Sequence, residues 1–547
     1  MPHATFKAPT QPAPPIEKHG PRHLPTELEP LLRAFRRPTA AVTPADVDRM
    51  TVNTVVSKLA NAYEKIRNAI EYHEDHLLRK NAVERILKRR LLFGTHLTEP
   101  DLARSLILEL IRGGYLPNAQ IPETKIGEVA TIILKHRTLQ RRAHGTLGTD
   151  AQGFTTWLTA ITATEIEECL VPATRSEALV NFAYHAIRKD MVWKDDSLDP
   201  RERDLQLYLA THRALIRSDE AMIRTHLFHL YEPRWRNADD RVITEVASRL
   251  GQLRAAIDVQ VRHPFGDPIL RQVKKFSTVF LILRDVLESP GDPTERLADP
   301  AALEPAIKRA AEKRYQSVQQ KIRRAVVRAV IYIFVTKMLL ALAVEFPYEL
   351  FVARSIDYVP LAVNVFFHPF LLFLIAISVN IPAERNTRSI TRVLEGLLYR
   401  YHQRNLPIVI RRPRRGVLTA VFRFVYAATF LLSFGLIVWG LRELTFNAVS
   451  IVIFLLFLSI ISFFGIRIRQ QTRELIVVPE RENVLTLLID FFSVPVLQVG
   501  RWISVKAPKI NVFIFILDFI IEAPFKTLVA VAEDWFSFLR EKKEEVY

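Results

Sequence analysis

Four stretches of this chain are too oily to be left in contact with water. Residues 326–346, 360–381, 418–440 and 447–466 are apolar runs, each close to the ~20 residues a helix needs to cross a bilayer. A segment in hydrocarbon has to satisfy its backbone hydrogen bonds internally, so these runs are committed to helix before propensity is considered. The first is the most interrupted, with Arg328 near its start, Lys337 in its middle and Glu345 at its end. The other three have nearly unbroken apolar cores. Tyr358 and Trp439 stand near their ends, where amphipathic rings prefer to lie.

The residues ahead of these runs mix charge and apolar character at helical spacing. Thr43-Pro44 opens one such unit with a capping residue and a proline in the first turn; Val52, Val55, Val56, Leu59, Tyr63, Ile66 and Ile70 then recur at three and four. "TEPDLARSLILELIRGG" has Thr98 as its cap and Gly113-Gly114 as its stop, and further starts fall near Pro122, Thr155, Arg175, Pro200, Asp239 and Asp267. With only 17 glycines in 547 residues and no sustained period-two alternation, strands have little support. The fold class expected is therefore all-α: a polytopic helical membrane protein with an N-terminal cytoplasmic α-helical domain over residues 43–324. Residues 1–42 are rich in proline and lack an apolar signal core, which predicts a disordered arm.

Short loops set the orientation. The connection over residues 383–417, the approach "KRAAEKRYQSVQQKIRR" and the exit "RIRQQTRE" are loaded with arginine and lysine, whereas "PYELFVARSIDYV" and "LRELTF" each carry one arginine balanced by acids. Positive residues stay on the cytoplasmic side, so the N-terminal domain, the arginine-rich loop and the C-terminus are expected inside. The formal net charge of +17 fits the same picture. Arg411, Arg412, Arg414 and Arg415 are read as contacts to anionic lipid headgroups, at about 1 kcal/mol each. No nucleic-acid module accompanies the charge.

Motifs for chemistry are missing. There is no G-x-x-x-x-G-K-[ST], G-x-S-x-G or G-x-G-x-x-G, and the single cysteine, Cys169, excludes an internal disulfide and a multi-cysteine zinc site. "HEDH" at 73–76 and "HLFHLYE", with His226, His229 and Glu232, place histidines three apart without completing a ligand set. The expectation is no enzyme, no cofactor and no metal.

Polar residues inside the first two spans carry more information. Lys337 lies nine residues past Arg328 and His368 eight past Pro360, so at about 1.5 Å per residue both reach similar depth. Asn364 is one turn from His368, Pro369 removes a backbone donor there, and Glu345 and Glu349 stand towards the outer end. A charge at mid-bilayer costs roughly 3 kcal/mol, so these five should face protein or water, either to pair helices or to line an ion path.

Beyond residue 466, "NVLTLLIDFFSVP" from Asn483 and "NVFIFILDFIIEAP" from Asn511 resemble one another, an internal duplication. Asp490 in the first, and Asp518, Glu522 and Lys526 in the second, form a polar stripe on otherwise apolar helices, which predicts two interfacial or shallowly re-entrant helices on the cytoplasmic face within a module over residues 467–547. The function expected is an integral membrane scaffold or anchor whose cytoplasmic domain recruits a partner. The alternative is an ion or small-solute transporter or channel using the polar residues of the first two spans.

Overall fold

A computed structural model describes residues 24–36, 48–68, 74–92, 97–143, 151–194, 198–353, 358–377, 379, 384–399, 408–410, 417–477 and 484–506, with positions 531, 535 and 538. About 85% of these residues are helical. Among the described residues the β structure is slight: two three-residue strands, Met191–Trp193 (β1) and Ile408–Ile410 (β2), run parallel, with Met191 opposite Ile408.

The part ahead of the apolar runs folds around three cores. The first is built by α3 (Asp75–Leu92), α4 (Glu99–Arg112), α5 (Thr124–Ala143) and α6 (Ala151–Leu170), with α2 (Thr54–Asn68) packed against α4. In α4 the Thr98 side chain accepts from the Asp101 amide and Pro100 fills the first turn. Leu102, Leu106, Ile107, Leu110 and Ile111 are buried along one face, the spacing that makes a helix amphipathic. The second core joins α5 and α6 to α9 (Glu220–Tyr231) and α10 (Asp240–Val261) through Trp157, Phe228 and Trp235.

The third core is the largest and lies nearest the apolar helices. It gathers α1 (Glu29–Arg36), α7 (Thr174–Asp190), α8 (Pro200–Leu215), α11 (Gly266–Leu287), α12 (Pro293–Ala298) and the beginning of α13 (Pro300–Leu340). Two expectations are corrected here. The arm over residues 1–42 is not wholly disordered: Leu28, Leu31, Leu32 and Phe35 recur at three and four and are buried in this core, an amphipathic signal that the surrounding prolines obscured. Nor is the arginine-rich connection merely a loop. Residues Glu384–Tyr399 form α16, whose Ile390, Leu394, Leu397 and Leu398 are buried in the same core, while its arginines 385, 388 and 392 stay exposed. Strand β2 follows α16 and pairs with β1.

Four helices are long and apolar enough to cross a membrane: Pro300–Val352, Tyr358–Ile377, Phe424–Glu443 and Ala448–Gln470. The first is α13 continued through a π-turn at Ala341–Glu345, a single α-turn, α14 (Phe346–Tyr348), and a second π-turn at Glu349–Ala353. The second is α15 (Tyr358–Ile377). The others belong to α17 (Val417–Glu443) and α18 (Ala448–Arg473), joined by a tight turn in which the Asn447 side chain accepts from the Ser450 amide at 2.8 Å. Ile331, Tyr332, Phe366, Phe370, Leu431, Leu436 and Val452 are exposed on them. Such a belt is far larger than the apolar patches water tolerates, and lipid is the solvent that fits it.

The first C-terminal repeat forms α19 (Val484–Lys506), which packs against α18 and α17. The expectation was an interfacial or shallowly re-entrant helix, and what the structure adds is this packing. Ser433 of α17 donates to the Phe492 carbonyl at 3.0 Å. Gly500 lies so close to α18 that a Cβ there would stand 1.9 Å from the Ser459 carbonyl oxygen. A residue without a side chain lets two backbones touch, a feature the charge stripe did not reveal. The Asp490 side chain, and all of Asp518, Glu522 and Lys526, lie outside the described residues.

Candidate intramembrane polar site

Helix α13 carries Lys337, and its continuation carries Glu345 at the end of the first π-turn and Glu349 at the start of the second. On an α-helix each four-residue step drifts by about 40°, and a π-turn, which rotates less per residue, takes that drift back. The π-turn at Ala341–Glu345 thus helps keep Lys337 and Glu345 on one line. All five candidate residues, Lys337, Glu345, Glu349, Asn364 and His368, are buried, none more than 2% exposed.

Asn364 of α15 is the hub. Lys337 Nζ donates to Asn364 Oδ1 at 2.6 Å, and Asn364 Nδ2 donates to Glu345 Oε1 at 2.8 Å and, at 3.4 Å, to the Ser450 carbonyl of α18. The amide therefore separates an ammonium from a carboxylate and bonds to both. Lys337 Nζ also lies 4.3 Å from the centre of the Phe457 ring, a cation–π contact of the kind strengthened by desolvation. His368 Nδ1 faces the Asn364 carbonyl oxygen at 3.2 Å and Nε2 faces the Phe454 carbonyl oxygen at 3.0 Å. A neutral imidazole donates through one of these nitrogens only. Glu345 Oε2 and Ser450 Oγ are buried with no hydrogen-bond partner among the described residues. The cluster ties α13, α15 and α18 together at one depth.

Below it, towards the large core, the same three helices meet through Ile322, Val326, Leu372, Ile461 and Ile468. Polar residues thus occupy the half of the bundle farther from the helical domain, and an apolar layer closes the nearer half. Sequence reading found the α13 and α15 members because a charge in an apolar run is conspicuous. It missed the α18 contribution, since Ser450, Phe454 and Phe457 act through backbone carbonyls and a ring face, which no residue type advertises.

The remaining sequence candidates fare differently. Arg411, Arg412, Arg414 and Arg415 lie outside the described residues, as does His73 of "HEDH". The members of "HLFHLYE" diverge. His229 Nε2 faces Glu165 Oε1 at 3.2 Å, and Glu232 pairs with Arg249 at 2.7 Å. His226 instead turns towards Glu177 of α7 and His212 of α8. Cys169 is half-buried, its Sγ 3.3 Å from Glu128, and burial pushes its thiol up to about 12, which leaves it unreactive. No known protein family, curated protein or solved structure matches the chain.

Proposed function

We propose that this protein is a membrane scaffold that holds its helical domain fixed against the cytoplasmic face of a bilayer, where that domain binds a protein partner. The observation that carries this reading is the triple return of the chain to one core. Helix α13 runs unbroken from that core into the membrane part, α16 packs back into it, and the residues leaving α18 are bonded to it. Asn386 of α16 donates to the Tyr315 hydroxyl at 2.8 Å and to the Leu475 carbonyl at 2.9 Å, and accepts from the Val477 amide at 2.8 Å. A domain held at three points is presented in one orientation, which is what a scaffold requires. Lys321, Arg323, Arg324 and Arg328 on α13, and Arg385 and Arg392 on α16, are exposed around the entry into the apolar helices. That collar favours an anionic leaflet and the cytoplasmic side.

In this reading the Lys337 cluster locks the membrane helices. Lys337, Asn364 and Glu345 are bonded in series, and removing one partner of a buried pair costs about 3–5 kcal/mol because the other charge is left alone. Lys337→Leu is therefore expected to lower the stability of the detergent-solubilised protein by about 3 kcal/mol, read from thermal unfolding, while liposomes containing the parent protein pass no measurable ion current.

A second reading, an ion path, is favoured by the Glu345 oxygen without a partner among the described residues and by the π-turns, which recur at functional sites. It requires the opposite result: a flux through the parent protein, abolished in a Lys337→Leu variant that folds as well as the parent.

A further inference from the structure

The helical domain contains a cluster that no motif in the sequence announces. Glu177 sits in the first turn of α7, His212 in the last turn of α8 and His226 in the middle of α9. One ligand atom from each lies within 4.8 Å of the other two. His212 Nε2 is 3.4 Å from Glu177 Oε2, His226 Nε2 is 3.9 Å from Glu177 Oε1, and the two imidazole rings are 4.4 Å apart, centre to centre.

Packing alone accounts poorly for this arrangement. His212 is fully buried, and neither of its ring nitrogens has a hydrogen-bond partner among the described residues; His226 Nε2 is likewise buried without one. Buried polar atoms are paired in more than about 90% of cases. The Nε2 atoms of these two touching imidazoles, buried without a hydrogen bond and facing one carboxylate, form with it the donor set of a first-row divalent cation. Two imidazole nitrogens and a carboxylate oxygen are a ligand set that zinc accepts with a fourth position left open.

We infer that Glu177, His212 and His226 bind a divalent transition-metal ion of the zinc class, which fastens α7, α8 and α9 to one another. The location gives such an ion something to do. Helix α7 belongs to the large core, α9 to the core around Trp235, and α8 contributes Leu207 to the former and Leu209 to the latter. The ion would bridge the seam between two cores. It replaces hydrogen bonds that the seam lacks, and it needs no change in fold. His229 is excluded from the set because it is engaged by Glu165, a carboxylate that Lys135 and His136 also hold.

The test uses the full-length, tag-free protein in detergent, stripped of metal by a chelator and desalted. Zn2+ affinity is measured by competition with a chromophoric chelator, and Co2+ is added separately as a spectroscopic probe. One Zn2+ per chain is expected, with visible Co2+ bands of a low-coordinate site and a higher unfolding temperature for the loaded protein. Glu177→Gln and His212→Gln should each weaken binding by about 100-fold or more, since loss of an outer-shell partner alone costs 10–100-fold. Two control variants, His185→Gln on the exposed side of α7 and His229→Gln, should bind as the parent does. Circular dichroism of every variant confirms that helix content is kept. The inference is overturned if the parent binds no stoichiometric Zn2+, if a folded His212→Gln binds as tightly as the parent, or if His229→Gln alone abolishes binding. Should His212→Gln fail to fold, Glu177→Asp decides: a shifted Co2+ spectrum supports the site and an unchanged one overturns it.

Discussion

Within one turn of α6 the run Glu165-Ile166-Glu167-Glu168 places three carboxylates, and each meets a different fate. Glu165 is received by Lys135 at 2.9 Å, by His229 at 3.2 Å and by His136. Burial alone would raise its carboxyl, yet these partners together hold it well below the usual range. Glu167 pairs with Arg79 at 2.6 Å, although burial still leaves its carboxyl raised. Glu168 makes no ion pair among the described residues, and the charge of Arg236 offsets its surroundings only in part. Burial first, and then the charges of Glu177, Glu167 and Glu165, push it up to about 8. A carboxyl raised on folding contributes stability that is fully present below its unfolded value and lost as pH rises through the folded one. The parent should therefore lose stability between about pH 4.5 and 8, in the presence of a chelator, and Glu168→Gln should not. Above that window the variant is expected to be more stable by on the order of 3 kcal/mol, less than the full shift implies because the carboxyl is partly solvated. Thermal unfolding across pH reads this directly; parallel curves for the two proteins would mean that Glu168 ionises normally. Sequence alone offers no means of sorting these three acids, because their partners come from α3, α5, α7 and α9.

Helices themselves were legible where periodicity and caps agreed. The starts near Pro122, Pro200 and Asp239 correspond to α5, α8 and α10, and the Asp199 and Asp239 side chains do cap theirs. What the sequence hid were elements whose signal was local and contradicted by composition, such as α1 among prolines and α16 among arginines. Contacts between helices were hidden too. The approach of α19 to α18 depends on one glycine, and Gly500→Ala tests it. Its new methyl would meet the Ser459 carbonyl at 1.9 Å, and the helices would have to part, at a typical overpacking cost of about 1–3 kcal/mol. The detergent-solubilised variant should unfold at a correspondingly lower temperature. Unchanged stability would support a helix lying apart in the headgroup plane.

At the scale of the whole molecule, α16, the exit of α18 and the start of α13 meet at one end of the apolar helices, and the turn joining α17 to α18 lies at the other. Cysteines placed at Ser389 and Glu443, in a protein lacking Cys169, should consequently label from opposite sides. With the basic collar inside, an impermeant thiol reagent applied to intact cells is expected to reach position 443 and not 389. Reaction at 389 would invert the orientation proposed here. Arginine counts give an expected topology, because the rule concerns short loops, and the labelling tests it; that the arginine-rich connection also completes a core was not legible, because burial requires a partner surface.

The triple return has a temporal side as well. The large core draws on Leu31 and Phe35 near the beginning of the chain, on Ile390, Leu394 and Ile408 after two apolar helices, and on Leu475 after all four. A ribosome delivers these residues in that order, so the early helices wait with an open apolar face while the later segments are made and inserted. The cores around Leu106 and Trp235 draw, among the described residues, on nothing beyond residue 261 and are free to form first. If the four apolar helices enter a membrane, their insertion is thereby a step in the folding of the water-exposed domain, and any delay in it leaves that domain's largest core unfinished.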